Sequence, residues 1–303
     1  MRCVPSATTS GSESSVSWPR SAWRPSSDPA GAALPSPLPG RLRPAGREET
    51  DVQDSGIAVV TGAGTGIGAA TAVRLARRGL HVCCVGRRHG PLADVVGAVQ
   101  QAGGSAEAIS ADCGTPDGIA SVVAAVAERP VAALVHAAGG GLPAPFPTTS
   151  WDDLSTALAT NLYGPFFLTQ GLLDRLVPGA GIVFVGSVSA VRGRSRSVAY
   201  GASKAALIGL TRNLAVELGP RARVNCVSPG PVDTDMLERF NEASTAGMSE
   251  WRLDMLAAHD RTRIVLGRIA TPDEVAATIE HLALDATAMT GVDVPSDVGY
   301  TGS

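Results

Sequence analysis

The amino-acid sequence predicts an α/β fold: a single domain in which a doubly wound parallel sheet is covered on both faces by helices. Three observations lead there. From residue 57 onward, short apolar runs alternate with Ala-rich segments of helical spacing. The apolar runs are β-branched and almost continuous, the pattern of strands buried on both faces. A glycine-rich turn joins the first run to the first helical segment. Alternation at this spacing places the carboxyl ends of the strands along one edge, where ligands bind.

In chain order, strands are expected at residues 57–61, 81–85, 106–110, 132–136, 181–186, 223–228 and 291–294. Helices are expected at 68–78, 117–128, 151–176, 200–218 and 271–283. No internal repeat is visible. Residues 1–54 read differently: Ser, Pro and Arg dominate, and the apolar patch Ala32-Ala33-Leu34 is cut short by prolines. This extension is expected to be disordered, as a solvated tail or as sequence ahead of a later start. Its Arg/Ser-rich, acid-poor character also allows a transit peptide, but no secretory apolar core can be built in it. Residues 55–303 form the expected catalytic domain.

Lys and Arg number 25 and Asp and Glu 28, for a net charge of −3. The isoelectric point near 6.0 excludes a generic polyanion binder, so no nucleic-acid partner is expected. With 44% hydrophobic and 17% charged residues, the chain can bury a sizeable core, which excludes a wholly disordered protein. No run approaches the roughly 18 to 20 apolar residues of a membrane span. Cys3, Cys83, Cys84, Cys113 and Cys226 lack CxxC or Cys/His spacing. They read as free thiols of a cytoplasmic protein with no metal site.

The first strand runs into Thr61-Gly62-Ala63-Gly64-Thr65-Gly66-Ile67-Gly68 and then directly into a helix. Glycines let a backbone approach a pyrophosphate closely, and a helix N-terminus offers N–H groups and a positive dipole end. Gly62, Thr65, Gly66, Ile67 and Gly68 are therefore candidate contacts to a dinucleotide. Where an acidic residue would hold the ribose hydroxyls of NAD, the second strand ends in Gly86-Arg87-Arg88. Arg87 suits a 2′-phosphate, favouring NADP over NAD; the competing reading is a pair of solvated loop charges. Thr65 adds no cation in the glycine turn. Asp112 is placed either to accept from an adenine amino group or to cap a helix.

Tyr200-Gly201-Ala202-Ser203-Lys204 puts a phenol and an ammonium one helical turn apart on one face. An ordinary phenol is a poor acid or base at neutral pH, and a neighbouring ammonium lowers its pKa. Ser187 follows the fifth strand and is placed to hydrogen-bond a carbonyl oxygen. Asn161, in the long helix upstream, is placed to anchor a water that feeds protons to the lysine.

Together these residues resemble the short-chain dehydrogenase/reductase family, and its 3-oxoacyl-acyl carrier protein reductase-like members in particular. The resemblance covers 55–303: the glycine turn, the tetrad Asn161, Ser187, Tyr200 and Lys204, the segment Arg223-Val224-Asn225-Cys226-Val227-Ser228-Pro229-Gly230, and Thr234. It implies a Rossmann fold and an NADP or NAD cofactor. Pro229, Val232 and Thr234 would hold the nicotinamide, Asp112 and Cys113 would border the adenine, and Ala138, Gly139, Asn161, Tyr200 and Lys204 would adjoin the cofactor. It further implies a homotetramer or dimer. Where the family writes Asn-Asn-Ala-Gly, this chain has His136-Ala137-Ala138-Gly139, so an amide that braces the sheet is missing at Ala137. His136 reads as a packed strand residue. The ending Asp297-Val298-Gly299 replaces a glycine of the family's Asp-Gly-Gly.

The expected activity is hydride exchange between nicotinamide C4 and a ketone/secondary alcohol pair, favouring NADPH-dependent carbonyl reduction. Alternatives are an NAD-dependent alcohol dehydrogenase and a catalytically silent NADP-binding sensor or scaffold. A serine hydrolase built on Ser203 is disfavoured because no strand precedes Gly201. The resemblance implies that the segment 233–264 serves as a lid, whose Met236, Leu237, Phe240, Met248, Trp251, Met255 and Leu256 either enclose a hydrophobic small-molecule substrate or pack the lid down. Arg192, Arg194 and Arg196 either receive an anionic substrate or acyl carrier, or form a solvated loop.

Overall fold

The computed structural model describes residues 56–141, 143–250 and 262–302. All lie in Glu49–Ser303, the second of two units of the chain; the first is Met1–Glu48. The extension 1–54 and its expected disorder lie outside the described residues.

Seven strands form one parallel sheet: β1 (Ile57–Thr61), β2 (His81–Gly86), β3 (Ser105–Ser110), β4 (Val131–His136), β5 (Leu176–Val185), β6 (Ala222–Pro229) and β7 (Asp293–Ser296). Their order is β3-β2-β1-β4-β5-β6-β7, and every neighbouring pair is parallel. The winding reverses between β1 and β4, which opens a crevice at their carboxyl ends. The helices are α1 (Gly66–Arg77), α2 (His89–Gln101), α3 (Pro116–Val126), α4 (Trp151–Leu158), α5 (Gly164–Gly171), α6 (Val198–Leu218), α7 (Asp235–Thr245) and α8 (Pro272–Glu280).

Alternate residues of each strand feed two cores. Val60 and Val82 meet Leu75, Leu92 and Ile279 from α1, α2 and α8. Val59 and Val85 face the other way, into a core with Ile119, Leu168 and Leu207 from α3, α5 and α6. Each such side chain contributes about 1.5–3 kcal/mol on burial. An ion-pair cluster pins α1 against α8: Glu280 takes Arg74 at 2.7 Å and Arg78 at 2.8 Å, with Asp273 and Asp285 completing the two arginine forks.

The helix expected over 151–176 is not continuous. Ser150 and Asp153 start α4 with a reciprocal capping box, but the helix widens into a π-turn at Ala159–Tyr163 before α5 resumes. Pro165 is the physical reason: it has no N–H for the carbonyl of Asn161 four residues earlier. The chain leaves α5 at Gly171 and is already in β5 at Leu176, where Leu172 and Leu176 are buried. The segment α2 was not among the expected helices. Gly90, Pro91 and Gly97 lower its propensity, yet Leu92, Val95 and Val99 fall on one buried face. The last strand begins two residues later than expected.

Val298, at the position of the family's glycine, has φ +52. That left-handed conformation is strained for a β-branched residue, which is why glycine suits the place. Asp297 holds this turn by accepting from the backbone of Gly299 at 3.0 Å and of Thr301 at 2.6 Å. Among the described residues no helix is long and apolar enough to cross a membrane.

Candidate active site

A cavity of about 630 Å³ lies along the carboxyl edge of the sheet, from the turn after β1 to the loop after β5. At its first end Gly62 takes φ +67, and a Cβ there would sit 2.6 Å from the backbone nitrogen of Ala138. The glycine is what lets the turn pass over the end of β4. A Cβ on Gly68 would strike the carbonyl of Gly62, so α1 packs hard against the turn. Thr65 sits at the N-cap of α1 without capping it by its side chain, and no acidic residue occupies the first turn. The helices α3, α4, α7 and α8 are capped by Thr115, Ser150, Thr234 and Thr271. The N-terminus of α1 is thus left open toward the cavity, the arrangement that favours an anion.

Arg87 and Arg88 line the next stretch of the cavity and are exposed. Neither forms an ion pair with another described residue. Asp112 and Cys113 follow on the lining. The cap of α3 is Thr115 and not Asp112, whose Oδ1 instead accepts from the backbone of Gly114 at 2.9 Å. Burial pushes the Cys113 thiol up to about 12. Ala138 donates its N–H to Thr61 Oγ1 at 3.2 Å, which ties the end of β4 to β1. Pro229, Val232 and Thr234 close the lining from β6 and the start of α7.

Ser187, Tyr200 and Lys204 meet at the other end. Strand β5 delivers Ser187, which is 8% exposed, and helix α6 presents Tyr200 and Lys204 on one face. The Ser187 hydroxyl accepts from the backbone of Ser189 at 3.1 Å and draws the Tyr200 phenol down. Lys204 Nζ donates to the carbonyl of Val185 at 2.7 Å and lies 5.9 Å from the centre of the Tyr200 ring. Burial lowers the Lys204 ammonium to about 8. The Tyr200 phenol is raised above its ordinary value: burial pushes it up, while Ser187 and the charge of Arg194 pull it down. The expectation that Lys204 lowers the phenol is therefore not met by this geometry. The lysine donates to Val185 while its ammonium stays over the Tyr200 ring, and the charge of Arg194 acts on the phenol.

Asn161 alone among the expected site residues does not line the cavity. It is fully buried behind Gly139 and Gly140, accepting from the N–H of Gly140 at 2.9 Å and donating to its carbonyl at 2.8 Å. Its second amide hydrogen goes to Ser203 Oγ at 2.8 Å. With both amide donors used inside the protein, a water relay at this residue would draw on acceptor oxygens. Ser203 itself is fully buried inside α6 and donates to the carbonyl of Tyr200 at 2.7 Å. It is a link in the site, not the exposed nucleophile a hydrolase requires. The motif singled it out by position without revealing that task.

His136 is 2% exposed, bonds Thr169 at 2.9 Å through Nε2 and stacks on Phe184 with ring centres 5.0 Å apart. Burial holds its pKa down to about 3, so it is a neutral packing residue, as the sequence indicated. Met236, Leu237 and Phe240 of the expected lid line the cavity; Met248 does not. Trp251, Met255 and Leu256 lie outside the described residues. Arg192 and Arg194 line the cavity and Arg196 does not. Tyr300, on the C-terminal turn, joins the lining unforeseen because it is remote in sequence from every motif. The described cysteines, Cys83, Cys84, Cys113 and Cys226, are free and buried.

The family profile described as "Enoyl-(Acyl carrier protein) reductase" matches residues 62–301. The short-chain reductase protein NovJ of Streptomyces niveus is 34% identical over 258 residues, 83% of this chain and 96% of that protein. D-threitol dehydrogenase of Mycolicibacterium smegmatis is 36% identical over 258 residues, covering 82% and 94%. The crystal structure of a short chain dehydrogenase from Burkholderia cenocepacia in complex with NADP superposes with a TM-score of 0.72 at 32% identity, covering 83% of this chain and all of that one. The chain belongs to the short-chain dehydrogenase/reductase family, and it is an oxidoreductase acting on CH–OH donors.

Proposed function

We propose that the chain is an NADPH-dependent carbonyl reductase, interconverting a ketone and a secondary alcohol. One observation carries this reading: a single cavity joins the uncapped N-terminus of α1 and the exposed Arg87 to Ser187, Tyr200 and Lys204. The residues fit a phosphorylated dinucleotide. Gly62, Thr65, Gly66, Ile67 and Gly68 line the cavity at the open end of α1, and only glycine at Gly62 and Gly68 lets the turn lie this close to the end of β4 and to α1. Arg87 would take the 2′-phosphate, Asp112 and Cys113 would border the adenine, and Ala138, Gly139, Pro229, Val232 and Thr234 would flank the nicotinamide. The similar Burkholderia protein holds NADP.

Bound there, a reduced nicotinamide supplies a hydride to a carbonyl carbon. The chain's own groups do the rest. Ser187 orients and polarises the carbonyl oxygen. Tyr200, held protonated by burial at neutral pH, gives its phenolic proton to the oxygen as negative charge develops there, which suits the reductive direction. Lys204 would hold the nicotinamide ribose, and it returns a proton toward the tyrosine. Asn161 fixes Gly140 and Ser203, and so holds the wall of the site and the start of α6 in register. Met236, Leu237 and Phe240 shelter the apolar part of a small-molecule substrate from water. The buried free thiols suit a reducing, cytoplasmic setting, and the exposed Trp151, Phe166 and Phe167 suit pairing of copies into a homo-oligomer, a dimer or a tetramer.

A second reading, an NAD-dependent alcohol dehydrogenase, is favoured by Thr65, which adds no cation beside Arg87. Steady-state assays on a panel of ketones and secondary alcohols, with each cofactor in both redox states, separate the readings. Turnover of ketones with NADPH supports the first. Preference for NAD and alcohols supports the second. No turnover with tightly bound cofactor supports a silent sensor and contradicts both.

A further inference from the structure

Strands β2 and β3 begin at the amino edge of the sheet, opposite the cavity, and a second group of polar side chains meets there. His81 and Cys83, two residues apart, share one face of β2. The register pairs Cys83 with Glu107 and His81 with Ser105 of β3. The Cys83 thiol donates to Glu107 Oε1 at 3.2 Å, and His81 Nε2 lies 3.5 Å from the same oxygen. A nitrogen of His81, the sulfur of Cys83 and a carboxylate oxygen of Glu107 all fall within 4.8 Å of one another. Nothing in the cysteine spacing announces this cluster, because its third member stands on the neighbouring strand.

His81 Nδ1 lies 2.7 Å from Ser105 Oγ; with Nδ1–H donating there, Nε2 carries its lone pair. That Nε2 is buried and has no hydrogen-bond partner, a state that costs free energy unless something fills it. A tetrahedral zinc site with ordinary bond lengths separates its ligand atoms by roughly 3.4–3.6 Å. The two spacings to Glu107 Oε1, 3.2 and 3.5 Å, are close to that. Thiolate and imidazole donors select zinc over the hard cations calcium and magnesium. The side chains of His81 and Glu107 are 33% and 41% exposed, which leaves a way in for an ion and room for a water. One group opposes a cation: Arg129 Nη1 meets Glu107 Oε1 at 2.6 Å. Its Nε and Nη2 are fixed on the carbonyls of Val126 at 3.0 Å and Ala125 at 2.7 Å, at the end of α3.

We propose that His81, Cys83 and Glu107 bind one zinc ion, with water as the fourth ligand. On binding, the thiol proton that Cys83 donates to Glu107 leaves to solvent and the sulfur ligates as thiolate; nothing is oxidised or reduced. Ser105 is a positioning residue that holds the imidazole, and Arg129 shares the carboxylate at a cost in affinity. Strand β3 is the outer strand of the sheet. The ion therefore fastens that edge to β2, away from the cavity and independently of the reaction proposed there.

The test titrates the chelator-treated full chain with Co²⁺ alone, a zinc surrogate with a visible spectrum, and then competes it with Zn²⁺. One equivalent of Co²⁺ should produce tetrahedral visible bands and a thiolate-to-cobalt charge-transfer absorption, and one equivalent of Zn²⁺ should abolish both. Cys83→Ala should remove the charge-transfer absorption. His81→Gln, which changes a half-exposed side chain, should weaken Co²⁺ binding by at least about tenfold, and Ser105→Ala by about 10–100-fold. Arg129→Gln should tighten binding by at least about tenfold, because it takes a positive charge from beside a divalent ion. Zn²⁺ should raise the unfolding temperature of the wild type and leave that of His81→Gln unchanged. A wild-type titration without charge-transfer absorption overturns the proposal and leaves the cluster as an ion pair of Glu107 with Arg129. An absorption that survives both Cys83→Ala and His81→Gln places the ion on other thiols and overturns it as well.

Discussion

The side-chain amide of Asn161 donates to the hydroxyl of Ser203 at 2.8 Å, and that hydroxyl donates onward to the carbonyl of Tyr200 at 2.7 Å. The π-turn between α4 and α5 is thereby fastened to the first turn of α6, and with it to the proposed proton donor. Replacing Ser203 by Ala leaves a buried amide hydrogen without an acceptor. We expect a loss of about 1–3 kcal/mol in stability and a fall in kcat larger than the change in KM. Urea denaturation and steady-state kinetics of Ser203→Ala check both.

His136 makes stability depend on pH. Its folded pKa, about 3, lies below the unfolded 6.5, so below pH 6.5 the unfolded chain takes up a proton that the folded one refuses. The stability due to the neutral ring is therefore complete above pH 6.5 and is lost as pH falls toward 3. His136→Leu lacks this slope, about 1.4 kcal/mol per pH unit, so it should appear as the pH dependence of the stability difference between the two proteins. Denaturation midpoints of both across that range measure it.

Lys204 sets the upper pH limit of carbonyl reduction. Burial lowers it to about 8, while the raised Tyr200 stays protonated. Reductive kcat/KM should be level below pH 7.5, within about half a unit, and should decline through pH 8 as the ammonium is lost. Lys204→Arg, with a cation that does not titrate there, should flatten that limb in whatever activity it retains.

Glu280 clamps both Arg74 and Arg78 with its side chain only 14% exposed. Glu280→Gln removes the charge from two short pairs and should destabilise the domain by about 1–3 kcal/mol. Because α1 carries the glycine turn, cofactor affinity should weaken as well. Thermal unfolding with and without NADPH reads both effects.

Much of this architecture is legible in the sequence because its signals are local. Continuous apolar runs placed β1, β2 and β4, and the glycine turn placed the start of α1. The tyrosine and lysine faced the cavity because they stand one helical turn apart. What was not legible depends on tertiary context. The π-turn follows from Pro165 acting within a helix that otherwise reads as unbroken. The start of β5 at Leu176 is set by burial of a Leu-rich segment that has good helix propensity. Ser203 and Tyr300 gain their places only when α6 and the C-terminal turn pack against the site. The raised phenol likewise follows from burial and from where Lys204 points, and neither is encoded in a four-residue spacing.

The most direct test of the central claim is Tyr200→Phe, assayed for NADPH-dependent reduction of the best ketone substrate beside a fluorescence titration of NADPH binding. Loss of the phenolic proton should lower kcat by at least about 100-fold, the low end of what one positioned acid contributes, while the dissociation constant for NADPH changes less than about threefold, under 1 kcal/mol. A Tyr200→Phe protein that reduces the ketone at the wild-type rate would contradict the assignment of Tyr200 as the proton donor.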